Sequence, residues 1–149
     1  MPTPSRYEAE NTADLAARFA RVEVLVLDVD GVLTDGVITL DDHGCETKHF
    51  HVRDGWALTA WRQLGKRAAI LSGRSAKATL RRAAELGIET VVQGASSKAK
   101  PFRQILEDLK VEAAQVCYMG DDLPDLPVLL AAGLAACPAA GGPSVRWSR

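Results

Sequence analysis

Cysteine is scarce in this sequence: Cys45, Cys117 and Cys137 are the only three in 149 residues, an odd number at wide spacing. That excludes a disulfide framework and reads as reduced thiols, Cys117 and Cys137 being small core residues within apolar runs. Cys45 has His43, His49 and His51 for neighbours, but the C-x2-C type of spacing that marks a zinc site is missing. No apolar run approaches the length of a membrane span, so no membrane partner is expected. Charge of neither sign dominates. Eighteen Lys and Arg stand against nineteen Asp and Glu, the formal net charge is −1 and the pI is near 6.3, which gives no reason to expect nucleic acid or an anionic membrane as the main partner. The opening stretch MPTPSRYEAEN has no apolar signal core, and a cytoplasmic location is the expectation. Internal repeats and low-complexity linkers are also missing. With 47% hydrophobic and 25% charged residues, the 149 residues suit one globular domain with a proper core and leave no room for a second.

What the sequence does have is concentrated in Val24 to Gly36, VLVLDVDGVLTDG. Val24, Leu25, Val26 and Leu27 read as a strand buried on both faces, as in parallel sheets covered by helices. Asp28 and Asp30 then fall at its carboxyl end, the edge where open α/β sheets bind ligands. Gly31 allows a sharp turn away. Two carboxylates this close repel each other, and a site that keeps both ionised holds a cation such as Mg²⁺. The plainer reading is that two aspartates merely end a strand and open a turn.

Strand and helix signals alternate along the rest of the chain. A helix is expected over Asn11 to Ala20, with Leu15, Ala16 and Phe19 on one face and Asn11 or Thr12 as its cap. Gly36 to Leu40 and Glu46 to Phe50 flank Asp41-Asp42-His43-Gly44 and predict a β-hairpin at the catalytic edge. Helices follow at about Asp54 to Leu64, Ser75 to Leu86, Ser97 to Leu109 and in the segment after Gly120-Asp121-Asp122 to Ala132. Strands fall at Arg67 to Leu71, Glu89 to Val92, Gln115 to Met119 and Leu134 to Cys137. This order implies an α/β fold with a doubly wound, mainly parallel sheet. The polar groups at its strand ends, Asp28, Asp30, Ser72, Lys98, Asp121, Asp122 and Asp125, would converge on one edge although they are far apart in sequence.

The strings DVDGVLTDG, SGR, SSK and GDDLPD, in that order, resemble the four signatures of the haloacid dehalogenase superfamily of phosphatases. More closely, DGVLTDG, FHVRDG, ILSGR, LGIETVVQGASSK and GDDLPDLPVL are similar to the capless sugar-acid phosphatases that act on 3-deoxy-D-manno-octulosonate 8-phosphate or on nonulosonate 9-phosphates, over about Leu15 to Ala136. That resemblance implies Asp28 as a nucleophile forming an aspartyl phosphate and Asp30 as general acid and base. It implies Ser72 and Lys98 on the phosphoryl oxygens, and Mg²⁺ held by the Asp28 carboxylate, the Asp30 backbone carbonyl and Asp121. Asp122 and Asp125 would support Asp121 and Lys98, and Arg53, Gly73 and Arg74 would bind substrate. A homotetramer roofed by the Gly36 to Phe50 hairpin is implied as well.

Each residue also has a structural alternative. Ser72 could cap the helix at Ser75, Lys98 could be a solvated charge, and Asp122 and Asp125 could be first-turn helix residues. Arg53 and Arg74 could pair with acidic neighbours. His49 and His51 would meet solvent or a neighbouring subunit, and Trp56 and Trp61 would pack. Three other functions compete. A phosphorelay receiver needs its acceptor aspartate where Ser72 stands, a phosphomutase needs a cap for which the intervals between motifs leave no room, and a silent interaction subunit would not need all the motif residues. Relative to the family, the carboxyl end departs after Ala136, and residues 138–149 are expected to be disordered or truncated, with weaker binding of the sugar part.

Overall fold

A computed structural model describes residues 6–139 and 141, with side chains from residue 13. Its strands are β1 (Val24–Leu27), β2 (Thr39–Leu40), β3 (Glu46–Thr47), β4 (Arg67–Leu71), β5 (Thr90–Val92), β6 (Val116–Met119) and β7 (Leu134–Ala136). The helices are α1 (Arg6–Arg21), α2 (Val52–Gln63), α3 (Lys77–Glu85), α4 (Ala99–Leu109) and α5 (Leu126–Ala131). Five strands form one parallel sheet in the order β5-β4-β1-β6-β7, while β2 and β3 pair as a separate antiparallel hairpin. From β1 the chain winds outward to β4 and β5, then crosses to β6 and β7 on the other side. The winding direction therefore reverses between β1 and β6, and that switch point is where such sheets bind ligands.

Strand alternation splits the core in two. Val24, Val26, Ala69, Leu71, Val116 and Tyr118 face Phe102 and Ile105 of α4 and Val128 and Leu129 of α5. Leu27, Ala68 and Ile70 face the opposite way, against Leu58 of α2, Ala83 of α3, and Leu33, Leu86 and Ile88. Because β1 is buried on both faces, it is apolar at every position, and a polar residue can enter only where the strand ends. Asp28 is that residue. Its N–H still donates to the Met119 carbonyl at 3.0 Å, so the sheet ladder fixes the backbone of the first motif aspartate.

Several sequence expectations change at the ends of elements. The helix α1 begins at Arg6, so Asn11 and Thr12 lie inside it, and Leu15 and Phe19 are exposed instead of packed. The strands β2 and β3 are two residues each, shorter than the expected arms, and past β3 the chain leaves the pairing so that Lys48 reaches Asp30. Asp41 closes the hairpin by accepting from the N–H groups of His43 and Cys45 at 2.9 and 2.7 Å. His51 caps α2, its Nδ1 accepting from Arg53 N–H at 3.1 Å. Of the two tryptophans expected to pack, Trp61 does, donating to the Arg67 carbonyl at 2.8 Å, while Trp56 is exposed. Within the stretch 138–149, Pro138, Ala139 and Gly141 are described. Gly141 is buried and its N–H donates to the Pro138 carbonyl at 2.9 Å. The rest of the stretch, residue 140 and residues 142–149, lies outside the described residues.

Candidate active site

The loop after β1 is wound around two oxygens. The Val29 carbonyl accepts from the N–H groups of Val32, Leu33 and Thr34, and the Thr34 hydroxyl accepts from Gly31 and Gly36. This compact turn aims Asp30 back toward the strand end. Gly31 has φ +85°, and a Cβ there would overlap the Asp121 carboxylate, so the position needs glycine on two counts. Gly120 serves β6 similarly, because a Cβ on it would run into the Asp125 side chain.

Asp28, Asp30, Ser72, Gly73, Arg74, Lys98, Asp121, Asp122 and Asp125 line one cleft of about 260 Å³ at the carboxyl edge of the sheet. Lys98 is 3% exposed and bridges two carboxylates, 2.8 Å from Asp28 Oδ2 and 2.6 Å from Asp125 Oδ1. It is a desolvated pivot, not a solvated charge. Asp125 is buried beneath the cleft. Its Oδ1 also accepts from the Tyr118 hydroxyl, and its Oδ2 accepts from the N–H groups of Asp121 and Asp122 at 3.1 and 3.2 Å. One aspartate thus fixes both the lysine and the backbone that presents Asp121. The Asp122 carboxylate accepts from Leu123 N–H at 2.7 Å and caps a short 3-10 turn just past Asp121. Ser72 is 2% exposed and lies in the cleft; α3 starts beyond Ala76, so Ser72 is not its cap.

Oxygens of Asp28, Asp121 and Asp125 lie within 4.8 Å of one another, the sole such cluster of metal-type side chains among the described residues. Burial, and then the negative charges of Asp28, Asp125 and Asp122, push the Asp121 carboxyl up to about 6. Burial raises Asp28 too, more than the ammonium of Lys98 lowers it. This is an oxygen-only pocket with surplus negative charge, which fits a hard divalent cation such as Mg²⁺. Asp125 is already saturated by hydrogen bonds, which leaves Asp28 and Asp121 as the side chains that would hold the ion, the pair that the family resemblance implies. Burial, followed by the Asp125 charge, keeps the Tyr118 hydroxyl protonated far above its usual range, so it acts as a fixed donor.

The two arginines part company. Arg74 faces the cleft, its Nη2 2.9 Å from Glu46 Oε2 and its Nε 3.9 Å from Asp30 Oδ2. Arg53 lines a neighbouring hollow of about 530 Å³ with Thr34, Asp35, His49, Phe50 and His51, and the larger size of that hollow does not make it the reaction site, since Asp28, Asp30, Asp121 and Lys98 all line the other cleft. Sequence reasoning missed Glu46, Lys48 and Tyr118. Lys48 Nζ bonds Asp30 Oδ1 and sits 2.7 Å from Glu46 Oε1. Placing His49 on one face of the hairpin arm puts Glu46 and Lys48 on the other by two-residue alternation. A tyrosine inside an apolar strand likewise calls for a buried acceptor.

Comparison with known proteins agrees with this geometry. A family profile of haloacid dehalogenase-like hydrolases matches residues 56–133. The 3-deoxy-D-manno-octulosonate 8-phosphate phosphatase of Escherichia coli K12 is 41% identical over 132 residues, which span 89% of this chain and 70% of that protein. The crystal structure of the phosphatase of that name from Yersinia pestis superposes with a TM-score of 0.87 at 38% identity, over 89% of this chain and 72% of the other. The Moraxella catarrhalis phosphatase, solved in complex with magnesium ion, phosphate ion and KDO, superposes with a TM-score of 0.86 at 36% identity, over 89% of this chain and 76% of the other. On the matching profile, the shared length and the common fold, this chain belongs to the haloacid dehalogenase-like hydrolases, and within them to the family of the 3-deoxy-D-manno-octulosonate 8-phosphate phosphatases.

Proposed function

We propose that the protein is a Mg²⁺-dependent phosphatase that releases phosphate from a sugar-acid phosphate, 3-deoxy-D-manno-octulosonate 8-phosphate being the substrate that its relatives' names support. The observation that carries this reading is the single cleft in which Asp28 and Asp30 meet Lys98, Ser72 and Asp121. Asp28 attacks phosphorus while the bond to the sugar oxygen breaks, and Asp30 gives its proton to that oxygen. Asp30 then takes a proton from water as the water oxygen attacks the aspartyl phosphate, which frees phosphate and restores both aspartates. Lys98, Ser72 and the Gly73 backbone neutralise and orient the phosphoryl oxygens. Asp28, Asp121 and the Asp30 carbonyl would hold Mg²⁺, whose charge offsets that of the phosphoryl group when bound. Arg74 is positioned for an anionic part of the substrate, while Arg53 would reach only a substrate that extends into the adjoining hollow. A cytoplasmic homotetramer completes the reading; among the described residues no helix is long and apolar enough to cross a membrane.

Phosphate release should be measured over a panel of sugar phosphates, including octulosonate 8-phosphate and nonulosonate 9-phosphates, with and without Mg²⁺. The expected pattern is turnover of a sugar-acid phosphate that is lost on chelation and in Asp28→Asn, whose charge-neutral amide cannot attack. Turnover should fall by about three orders of magnitude or more with the fold intact. A flat response over the panel would sink the reading and favour an interaction subunit.

A further inference from the structure

Asp30, Lys48, Glu46 and Arg74 form a closed ring of alternating charge. Lys48 bonds Asp30 and Glu46, Glu46 bonds Arg74, and Arg74 returns toward Asp30 at 3.9 Å. The ring is electrically neutral, and the Lys48 side chain is only 4% exposed, so the ammonium is desolvated and committed to its two carboxylates. Burial pulls its pKa down, but the bonds to Asp30 and Glu46 more than restore it, and the charge is retained. The oxygens of Asp30 are treated unequally. Lys48 occupies Oδ1, whereas Oδ2 is the sole buried side-chain oxygen or nitrogen without a hydrogen-bond partner among the described residues.

That asymmetry has a use. The last torsion of an aspartate is broad and roughly two-fold, so a carboxyl group anchored only through its backbone would swing over a wide arc. Fixing one oxygen sets the direction of the other. We infer that Lys48, delivered from the hairpin arm, is a positioning residue for the proton transfer: it fixes Asp30 through Oδ1 and leaves Oδ2, which makes no hydrogen bond and lies 3.9 Å from Arg74 Nε, as the oxygen that carries the proton. Glu46 in turn fixes Lys48 and ties it to Arg74, so the hairpin is an integral wall of its own subunit's active site. This inference rests on the reading of Asp30 as the acid and base.

The test compares Lys48→Met, Lys48→Arg and Asp30→Asn on two substrates, an alkyl sugar-acid phosphate, whose leaving oxygen needs a proton, and p-nitrophenyl phosphate, whose leaving group does not. Lys48→Met should lower kcat on the alkyl phosphate about 30-fold, a part of the roughly 10²–10⁴-fold worth of general acid catalysis. On p-nitrophenyl phosphate the first step, read as the pre-steady-state release of p-nitrophenol because hydrolysis of the aspartyl phosphate still needs Asp30, should lose no more than about threefold, with KM nearly constant on both and most of the loss regained in Lys48→Arg. Equal losses on the two substrates, a change confined to KM, no loss at all, or no recovery in Lys48→Arg would each overturn the inference. Asp30→Asn separates the two failures. If it shows the leaving-group dependence and Lys48→Met does not, the role of Lys48 alone is wrong; if Asp30→Asn lacks it, the acid and base reading falls and the inference with it. Should Lys48→Met fail to fold, Lys48→Ala, which removes the donor, is read by the same criteria.

Discussion

At the scale of single residues the site is governed by where negative charge is left over. Lys98 satisfies Asp28 and Asp125, and Lys48 and Arg74 balance Asp30 and Glu46, whereas Asp121 is raised to about 6 by burial and by three neighbouring aspartates. In the unfolded chain its pKa is the ordinary 3.8, so the metal-free fold binds the Asp121 proton more tightly. The stability this contributes is present below about pH 4 and is lost as pH rises to about 6. Mg²⁺ competes with that proton. The gain in Tm on adding Mg²⁺ should therefore be small near pH 5 and larger by about pH 7, as thermal melts over that range would reveal. A gain independent of pH would remove Asp121 from the ion's ligands. Asp125→Ala should act differently, because it removes one of the two carboxylates on a buried lysine and the acceptor of a buried tyrosine and two backbone N–H groups at once. A loss of about 3–5 kcal/mol in urea unfolding is expected, together with loss of activity.

At the scale of elements, the loops after β1 and β6 are each built around a glycine, Gly31 and Gly120, that lets backbone and carboxylate approach. Gly31→Ala should abolish Mg²⁺-dependent Tm gain while costing the fold only about 1–2 kcal/mol, since the clash falls on the movable Asp121 side chain and the backbone strain is local. An unchanged response to Mg²⁺ in calorimetry or melting would show that the close approach is dispensable. The same loops explain what was legible from sequence. The strand β1 and the aspartates at its end were readable because an unbroken apolar run that stops at charge has few structural meanings, and β4, apolar and bounded by Lys66 and Ser72, was read to the residue. Element order fixed which strand ends share an edge. The hairpin arm was harder: Glu46 and Lys48 look like any solvated pair, and only the fold shows that the arm leaves its partner strand and turns inward. The α1 face misled for a related reason, since periodicity marks Leu15 and Phe19 as apolar on one side but cannot say that a surface exists to receive them.

At the scale of the whole molecule, the described part of the chain leaves apolar surface uncovered around the hairpin. Val37 is 62% exposed, Ile38 47% and Leu40 60%, with Val52 and Trp56 at 80% and 75% on the helix that follows. Exposed large apolar side chains on the hairpin and on the helix after it are the kind of surface that a protein–protein contact covers. The homotetramer proposed above would cover them, and because Glu46 and Lys48 belong to the same hairpin, assembly and chemistry should be coupled. Ile38→Asp places a charge in the patch without touching the cleft. It should dissociate the assembly in light scattering and lower kcat on the alkyl phosphate in the same protein samples, the two losses running together as concentration is reduced. The residual activity of the dissociated form should show the leaving-group dependence of Lys48→Met, because a hairpin freed from its neighbours holds Asp30 less firmly. A fully active monomer would separate the patch from catalysis and leave the charge ring as the sole support of Asp30.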